Sequence, residues 1–150
     1  MASKVKGSLL ALLNSFVTAL FVLLFIYTGF NKLFGLKNFT DTLMNQPIPH
    51  YFVPFLAWGF PCLEVLAAAC LLFPRTRRLG LFAALTLMVI FTGYIAAILL
   101  HFFRRVPCSC GGIFRTLSWQ QHLWVNGGLI ILALLALIRK PVSSSLNLSL

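Results

Sequence analysis

The stretch LGLFAALTLMVIFTGYIAAILLHFF, residues 79–103, contains no Asp, Glu, Lys or Arg and is followed at once by Arg104 and Arg105. An apolar stretch of about 18 or more residues without charges is typical of a helix that crosses the hydrocarbon core of a bilayer. Basic residues at the end of such a stretch suit the lipid–water interface. We therefore expect residues 79–103 to form one transmembrane helix.

Three further apolar runs lie on either side of this one, at about residues 9–30, 52–73 and 119–138. Across the chain of 150 residues, 60% are hydrophobic and 9% are charged, and the mean hydropathy is +0.96. A soluble domain of this length could not bury so much apolar surface, so lipid must be the solvent for much of it. We expect an all-α, integral membrane four-helix bundle, with one domain over residues 1–141 and a flexible tail over 142–150.

The net charge of +10 at first suggests a nucleic-acid partner. The twelve Lys and Arg residues, however, stand in small groups at the ends of the apolar runs, and the two acids are Asp41 and Glu64. Membrane helices are flanked by basic residues in this way, and the sequence shows no basic face or base-reading motif. We therefore expect the lipid bilayer as a partner, and no nucleic acid.

A weaker, amphipathic pattern follows the first apolar run. Leu36, Phe39 and Leu43 recur at helical spacing among polar residues. This pattern predicts a short interfacial helix between spans 1 and 2, over Leu36–Asn45. Two prolines, Pro47 and Pro49, should end it, because proline cannot continue a helix interior.

The fourth run has a recognisable start. Ser118-Trp119-Gln120-Gln121 has the Ser-x-x-Gln pattern of a capping box, in which two side chains satisfy free backbone N–H groups at a helix N-terminus. The pattern predicts that the last helix begins at Trp119.

Four spans place both termini on one side of the membrane. Seven basic residues lie on that side and five on the other: Lys4, Lys6, Arg75, Arg77, Arg78, Arg139 and Lys140, against Lys32, Lys37, Arg104, Arg105 and Arg115. The positive-inside rule therefore predicts a multi-pass protein of the cytoplasmic (inner) membrane with both termini in the cytoplasm. The loop between the third and fourth runs then faces outward, where disulfides persist.

That loop reads VPCSCGG over residues 106–112, with Cys108 and Cys110 one residue apart. The Cα atoms of such a pair lie near the upper limit for a disulfide, so a bridge would be strained and readily exchanged. Neighbouring arginines favour the thiolate, which is the form that attacks disulfides. These features favour a thiol–disulfide exchange site, although a pair of free or passively oxidised thiols fits the spacing equally well.

A bound metal is a third reading of the same residues. Four ligands could come from His101, Cys108, Cys110 and His122. Zinc sites usually have two to four residues between paired cysteines, so Cys-x-Cys fits them poorly. We expect no metal here.

Glu64 is the one acid inside an apolar run. A carboxylate within a membrane is costly and usually faces the bundle interior with a partner. Candidate partners are Lys32, at the end of the first span, and His122 and Asn126, which share one face of the fourth. A buried polar tie between helices and a proton-transfer group both fit Glu64.

Two further residues could take part in thiol chemistry. His122 should lie in the first turn of the last helix, near the cysteine loop, and could exchange protons with a thiol, although an ordinary interfacial histidine fits equally well. Cys62 should lie in the outer half of the second span and could relay electrons to the loop pair. The interpretation of Cys62 as a small buried apolar residue is favoured over that role, and Cys70 has no assigned role.

Several short motifs together resemble one known family. They are GFNKL at residues 29–33, Glu64, PCSCGG at 107–112 and LSWQQHL at 117–123, set among four short spans. In these features nearly the whole chain resembles the MauE/DoxX family of redox-associated membrane proteins. The likeness is to the methylamine-utilisation branch, linked to disulfide formation in a periplasmic dehydrogenase subunit. It implies that Cys108 and Cys110 are the redox pair, and it does not imply methylamine as a substrate.

Taken together, these features predict a membrane-embedded thiol–disulfide oxidoreductase. It would exchange electrons between an extracytoplasmic thiol protein and the membrane through the Cys-x-Cys loop. A quinone could be the acceptor, since apolar carriers can enter between helices, although no residue of the sequence identifies one. The alternative is a non-catalytic accessory subunit of a larger membrane complex, in which the cysteines are incidental.

Overall fold

A computed structural model of the protein describes residues 2–102 and 118–138. These residues form five α-helices and, before the third of them, one turn of 3-10 helix at His50–Phe52: α1 (Ala2–Phe34), α2 (Leu36–Met44), α3 (Val53–Leu72), α4 (Arg77–Leu99) and α5 (Trp119–Ile138). Within those ranges the structure contains no β-strand. The prediction of an all-α protein with a short helix between its first two spans is confirmed. Cys108, Cys110 and the tail 142–150 lie outside the described residues.

Four of the helices, α1, α3, α4 and α5, are long and apolar enough to cross a membrane. Their outward surfaces carry many large apolar side chains, among them Leu12, Phe16 and Leu23 of α1. Water would solvate such a surface poorly, whereas lipid chains solvate it well. The chain is therefore a multi-pass membrane protein.

The bundle is arranged around α3, which packs against α1 on one side and α4 on the other, while α4 packs against α5. Its main core combines aromatic rings of α1 with small residues of the other helices. Phe21 and Phe25 stack at 5.9 Å between ring centroids, and Ala68 and Ala84 are fully buried. Small residues let membrane helices approach closely, which increases van der Waals contact where lipid provides no hydrophobic drive for association.

Two glycines mark the closest helix contacts. A Cβ atom added at Gly80 would lie 2.8 Å from the backbone nitrogen of Leu71, where α4 meets the end of α3. A Cβ atom added at Gly29 would lie 2.9 Å from Val65 Cγ2 and 3.2 Å from the Pro61 carbonyl oxygen. The second contact holds α1 against the part of α3 that carries Glu64.

The start of α5 has the predicted capping box. The Gln121 backbone N–H donates to Ser118 Oγ at 3.3 Å, and the Ser118 backbone N–H donates to Gln121 Oε1 at 2.9 Å. Each side chain thus satisfies a backbone donor of the other residue. The predicted first residue of the helix, Trp119, is confirmed.

The end of α4 lies earlier than the apolar run suggested. The helix stops at Leu99 rather than near Phe103, because His101 adopts a left-handed backbone with φ of 55°. The His101 N–H donates to the Ile98 oxygen and the Phe102 N–H to the Ala97 oxygen, both at 3.0 Å. This is the hydrogen-bond pattern of a Schellman motif, which terminates a helix whatever the hydropathy of the residues that follow.

Replacing Gly80 by Ala should destabilise the bundle. The new methyl group would collide with the backbone of Leu71, and overpacking of this kind costs about 1–3 kcal/mol. The matched control is Gly93→Ala in the same helix, where an added Cβ meets nothing within 4 Å. Removing a helix glycine there should stabilise the protein by up to about 1 kcal/mol. Thermal unfolding in detergent should therefore shift in opposite directions, and equal shifts would contradict the close contact.

Candidate functional site

The most distinctive polar feature of the described bundle is an ion pair between α1 and α3. Lys32 Nζ donates to Glu64 Oε1. The Lys32 side chain is 16% exposed and that of Glu64 only 2%. A charge in lipid is costly unless it is paired, so each residue makes the other tolerable inside the bundle.

The local sequence places both partners in the same layer. Gly29 and Lys32 are three residues apart and therefore share a face of α1. The close packing at Gly29, where an added Cβ would come within 3.4 Å of Glu64 Cβ, brings that face to α3. Two aromatic rings also surround the ammonium group, with Nζ 5.7 Å from the Phe39 ring centroid and 5.5 Å from that of Phe91. Cation–π attraction from these rings adds to the pairing.

A cavity of about 250 Å³ adjoins this ion pair. Its walls come from all five helices and are mainly apolar and aromatic. Polar side chains reach it at a few points: Thr28, Lys32, Gln46, Glu64, Tyr94, His122 and Asn126. An apolar enclosure with a few convergent polar groups is typical of a small-molecule site.

Two of these polar residues tie the short connection after α2 to the bundle. Tyr94 of α4 donates its hydroxyl to Gln46 Oε1, and Gln46 Nε2 donates to the Thr42 oxygen at 3.3 Å. Gln46 is buried as a result. The hydrogen bonds fix one wall of the cavity against α4.

Glu64 lines the cavity, and only Oε1 of its two carboxylate oxygens is paired with Lys32. Glu64 Oε2 is buried and has no hydrogen-bond partner among the residues that the structure describes. Thr28 lines the same cavity, but its hydroxyl donates to the Leu24 backbone oxygen at 2.9 Å. A buried carboxylate oxygen gains free energy from a hydrogen-bond donor, so Oε2 favours a donor that comes within its reach.

The cavity lies at the end of the bundle where α4 stops and α5 begins. His122 is in the first turn of α5, and Tyr94 and Ile95 are in the last turns of α4. Cys108 is six positions beyond Phe102, and Cys110 is eight positions before Ser118. A fully extended chain spans at most about 3.3–3.6 Å per residue, so the two cysteines are tethered within roughly 20 Å and 30 Å of those helix ends.

A comparison with known protein families shows to which family this chain belongs. The family model described as "Methylamine utilisation protein MauE" matches residues 9–139. The chain belongs to the MauE family. No curated protein and no solved structure gives a significant match. The match includes all four spans, the Lys32–Glu64 pair and the Cys108–Cys110 segment.

In this MauE-family protein, the structure shows which of the three candidate partners pairs with Glu64. Lys32 pairs with it directly, and His122 and Asn126 line the same cavity. The apolar run predicts that the first span ends near Phe30, just before Lys32. Instead α1 continues to Phe34, so Lys32 remains on a helix face that points at α3.

Other predicted site residues are not brought to the cavity. Cys62 is exposed on α3, so its interpretation as a small buried residue is wrong. It lies two positions before Glu64, and residues two apart on a helix do not share a face. Cys70 is partly exposed, near the opposite end of α3. Within the described ranges no cluster of three or more His, Cys, Asp or Glu residues is present, and Cys108 and Cys110 lie outside them.

Sequence reasoning missed Gln46 and Tyr94. Gln46 stands directly before Pro47, one of the two prolines predicted to end α2, and Tyr94 is one residue of an apolar span. The available signal was weak. A tyrosine inside a membrane helix usually finds a hydrogen-bond partner for its hydroxyl when it is buried, but the sequence does not say where that partner lies.

The ion pair predicts a specific pattern of stability changes. Glu64→Leu leaves the Lys32 ammonium without its partner, and breaking a buried pair costs about 3–5 kcal/mol. Glu64→Gln should cost less, because the amide oxygen still accepts a hydrogen bond. The double variant Lys32→Met/Glu64→Leu should recover most of the loss, since neither charge remains. Thermal unfolding of the purified protein in detergent measures all three, and equal midpoints would show that no buried pair exists.

Proposed function

We propose that this protein is a membrane thiol–disulfide oxidoreductase that exchanges electrons with an extracytoplasmic thiol protein through Cys108 and Cys110. The observation that carries the proposal is the position of the Lys32–Glu64 cavity. It lies at the end of the bundle to which the Cys-x-Cys segment is tethered on both sides. A redox-capable pair and a site for a small molecule are therefore close together along the chain.

The chemistry is a two-electron exchange. A thiolate of the client attacks the Cys108–Cys110 disulfide and forms a mixed disulfide. The second client thiol then displaces the protein's cysteine. The client leaves with a new disulfide, and the protein keeps two thiols. A strained i, i+2 disulfide favours this direction, because it is a stronger oxidant than a relaxed one.

We assign His122 as a proton partner for these thiols. Its side chain lines the cavity from the first turn of α5, and its backbone N–H donates to the Ser118 oxygen at 3.0 Å. An imidazole nitrogen can accept a proton from a thiol and return it later.

We further propose that both termini are cytoplasmic, so that this end of the bundle faces outward. The greater number of Lys and Arg residues on the side of the termini supports the orientation. An outward position also suits a redox pair that must meet an oxidising compartment.

The orientation can be tested with a membrane-impermeant maleimide in intact, reduced cells. The background variant should be Cys62→Ser/Cys70→Ser, so that Cys108 and Cys110 are the cysteines that remain. We expect full labelling without opening the membrane, because the loop would face outward. The matched control carries Ser145→Cys in a background from which all four native cysteines have been removed. It should be labelled only after permeabilisation. The reverse pattern would contradict the proposed orientation.

The exchange reaction predicts a trapped intermediate. Thiol–disulfide exchange is reversible, so the cysteine that bonds to the client can also attack the client's disulfide and release one client thiol. If the protein's other cysteine is replaced, it can no longer displace the client and the mixed disulfide persists, whereas replacing the bonding cysteine itself abolishes the adduct. Of Cys108→Ser and Cys110→Ser, one should therefore give a reducible higher-mass band on non-reducing gels. Cys110 is followed by two glycines, which carry no side chains, so we expect it to bond to the client and Cys108→Ser to give the band. Cys62→Ser is the matched control and should give none.

An accessory subunit without chemistry would behave differently. Neither loop variant would trap a partner, and both would retain full function in the native host. That result would replace the redox proposal with the accessory role.

A further inference from the structure

We propose that the cavity beside Lys32 and Glu64 binds the head group of a quinone, which accepts the electrons of Cys108 and Cys110. This inference rests on the proposed function, because it names the acceptor for that redox pair. It stands on three properties of the cavity: its size, its two kinds of polar group and its opening toward lipid.

The size of the cavity fits a single substituted ring or a fused pair of rings. A cavity of about 150 Å³ is sufficient to hold benzene, and this one measures about 250 Å³. Pockets for drug-sized molecules start at roughly 300 Å³, so a large folded ligand would not fit. A quinone head group fits, provided that its hydrocarbon tail leaves the cavity.

The polar groups of the cavity can form hydrogen bonds with both the quinone and the quinol form of such a ring. The two oxygens of a quinone accept hydrogen bonds, and the Lys32 ammonium has three N–H donors, of which Glu64 takes one. A quinol instead donates two O–H groups, and Glu64 Oε2 is a buried acceptor without a partner among the described residues. Asn126, which is 9% exposed, offers both a donor and an acceptor at the wall.

The walls suit a flat ring, and one of them leads outward. The Phe60 and Phe91 rings lie 5.5 Å apart between centroids and both face the cavity. Aromatic side chains of this kind favour stacking against another ring. Ile90 also lines the cavity but is 51% exposed, so the wall continues onto the lipid-facing surface of α4. A hydrocarbon tail can leave the cavity there and remain in lipid.

The reaction balances without a further reagent. Two thiols lose two electrons and two protons as the Cys108–Cys110 disulfide forms. The quinone gains two electrons and two protons and becomes a quinol. His122 and Glu64 can hold protons in transit between the loop and the ring, since both line the cavity. The quinol then exchanges with the membrane pool past Ile90.

The test measures equilibrium binding of decylubiquinone to the purified protein in detergent. Ile90→Trp should obstruct the opening and weaken binding by at least about tenfold, a loss of roughly 1.4 kcal/mol. Val89→Trp is the matched control. Val89 is adjacent to Ile90, is equally exposed at 51% and does not line the cavity. The affinity of Val89→Trp for decylubiquinone should therefore equal that of the wild type. Thermal unfolding confirms that both variants are folded.

A second measurement does not depend on any substitution near the cavity. A photoreactive azidoquinone should label cavity-lining residues of α1 or α4 in the wild-type protein. Excess decylubiquinone should suppress this labelling. Labelling that is confined to the outer surfaces of the helices would overturn the proposal.

A variant without the two cysteines distinguishes the quinone-binding proposal from the proposed thiol exchange. Cys108→Ser/Cys110→Ser should bind decylubiquinone as tightly as the wild type but should not reduce it. The reduced wild type should convert one quinone for each dithiol that it oxidises. One outcome is that a client is trapped while the wild type, Ile90→Trp and Val89→Trp all bind quinone equally. In that case the thiol function stands, but the quinone only partitions into detergent and the cavity proposal is wrong. If quinone binds in the cavity but no client is trapped, the site stands and the thiol exchange is wrong.

Discussion

Lipid cannot solvate a charge, and the Lys32–Glu64 pair allows two charged side chains to lie inside the bundle. Either residue alone inside the bundle would carry a large desolvation penalty, and together they offset it through one charge-assisted hydrogen bond. The pair requires α1 and α3 to meet in a particular register. The close contact at Gly29 provides that register, because no side chain keeps the two helices apart there.

The two ends of the bundle are packed differently, and this difference creates the site. Toward the termini, small residues such as Ala67, Ala68 and Ala136 fill the interface and leave little space. At the other end, α2 forms a second core with Phe39 and Leu43 against the start of α3. Long side chains and the non-helical connection after α2 cannot fill the volume around the ion pair as closely as the alanines do. The cavity therefore lies where charge and aromatic rings come together, at the end of the bundle where α4 stops and α5 begins.

The elements that the sequence predicted well are those governed by local rules. The number and approximate positions of the spans follow from hydropathy, the α5 start from the hydrogen bonds of Ser118 and Gln121, and the α2 helix from its amphipathic spacing. Errors arose where backbone conformation overrode hydropathy. The apolar run continues past Leu99, but the left-handed backbone of His101 ends α4 there. Hydropathy likewise ended the first span near Phe30, whereas α1 continues to Phe34.

The sequence by itself determined the class of protein, the number of spans and the presence of a carboxylate that needed a partner. These follow from composition, from the length of apolar runs and from the cost of burying a charge, none of which depends on a particular arrangement of helices. Only the tertiary structure decided that Lys32 is the partner, that Cys62 faces away from Glu64, and that Gln46 and Tyr94 close one wall of a cavity. Such outcomes depend on which helix faces meet. Four apolar helices present similar surfaces to one another in lipid, so their pairing is set by close contacts at a few small residues and not by the pattern of hydropathy.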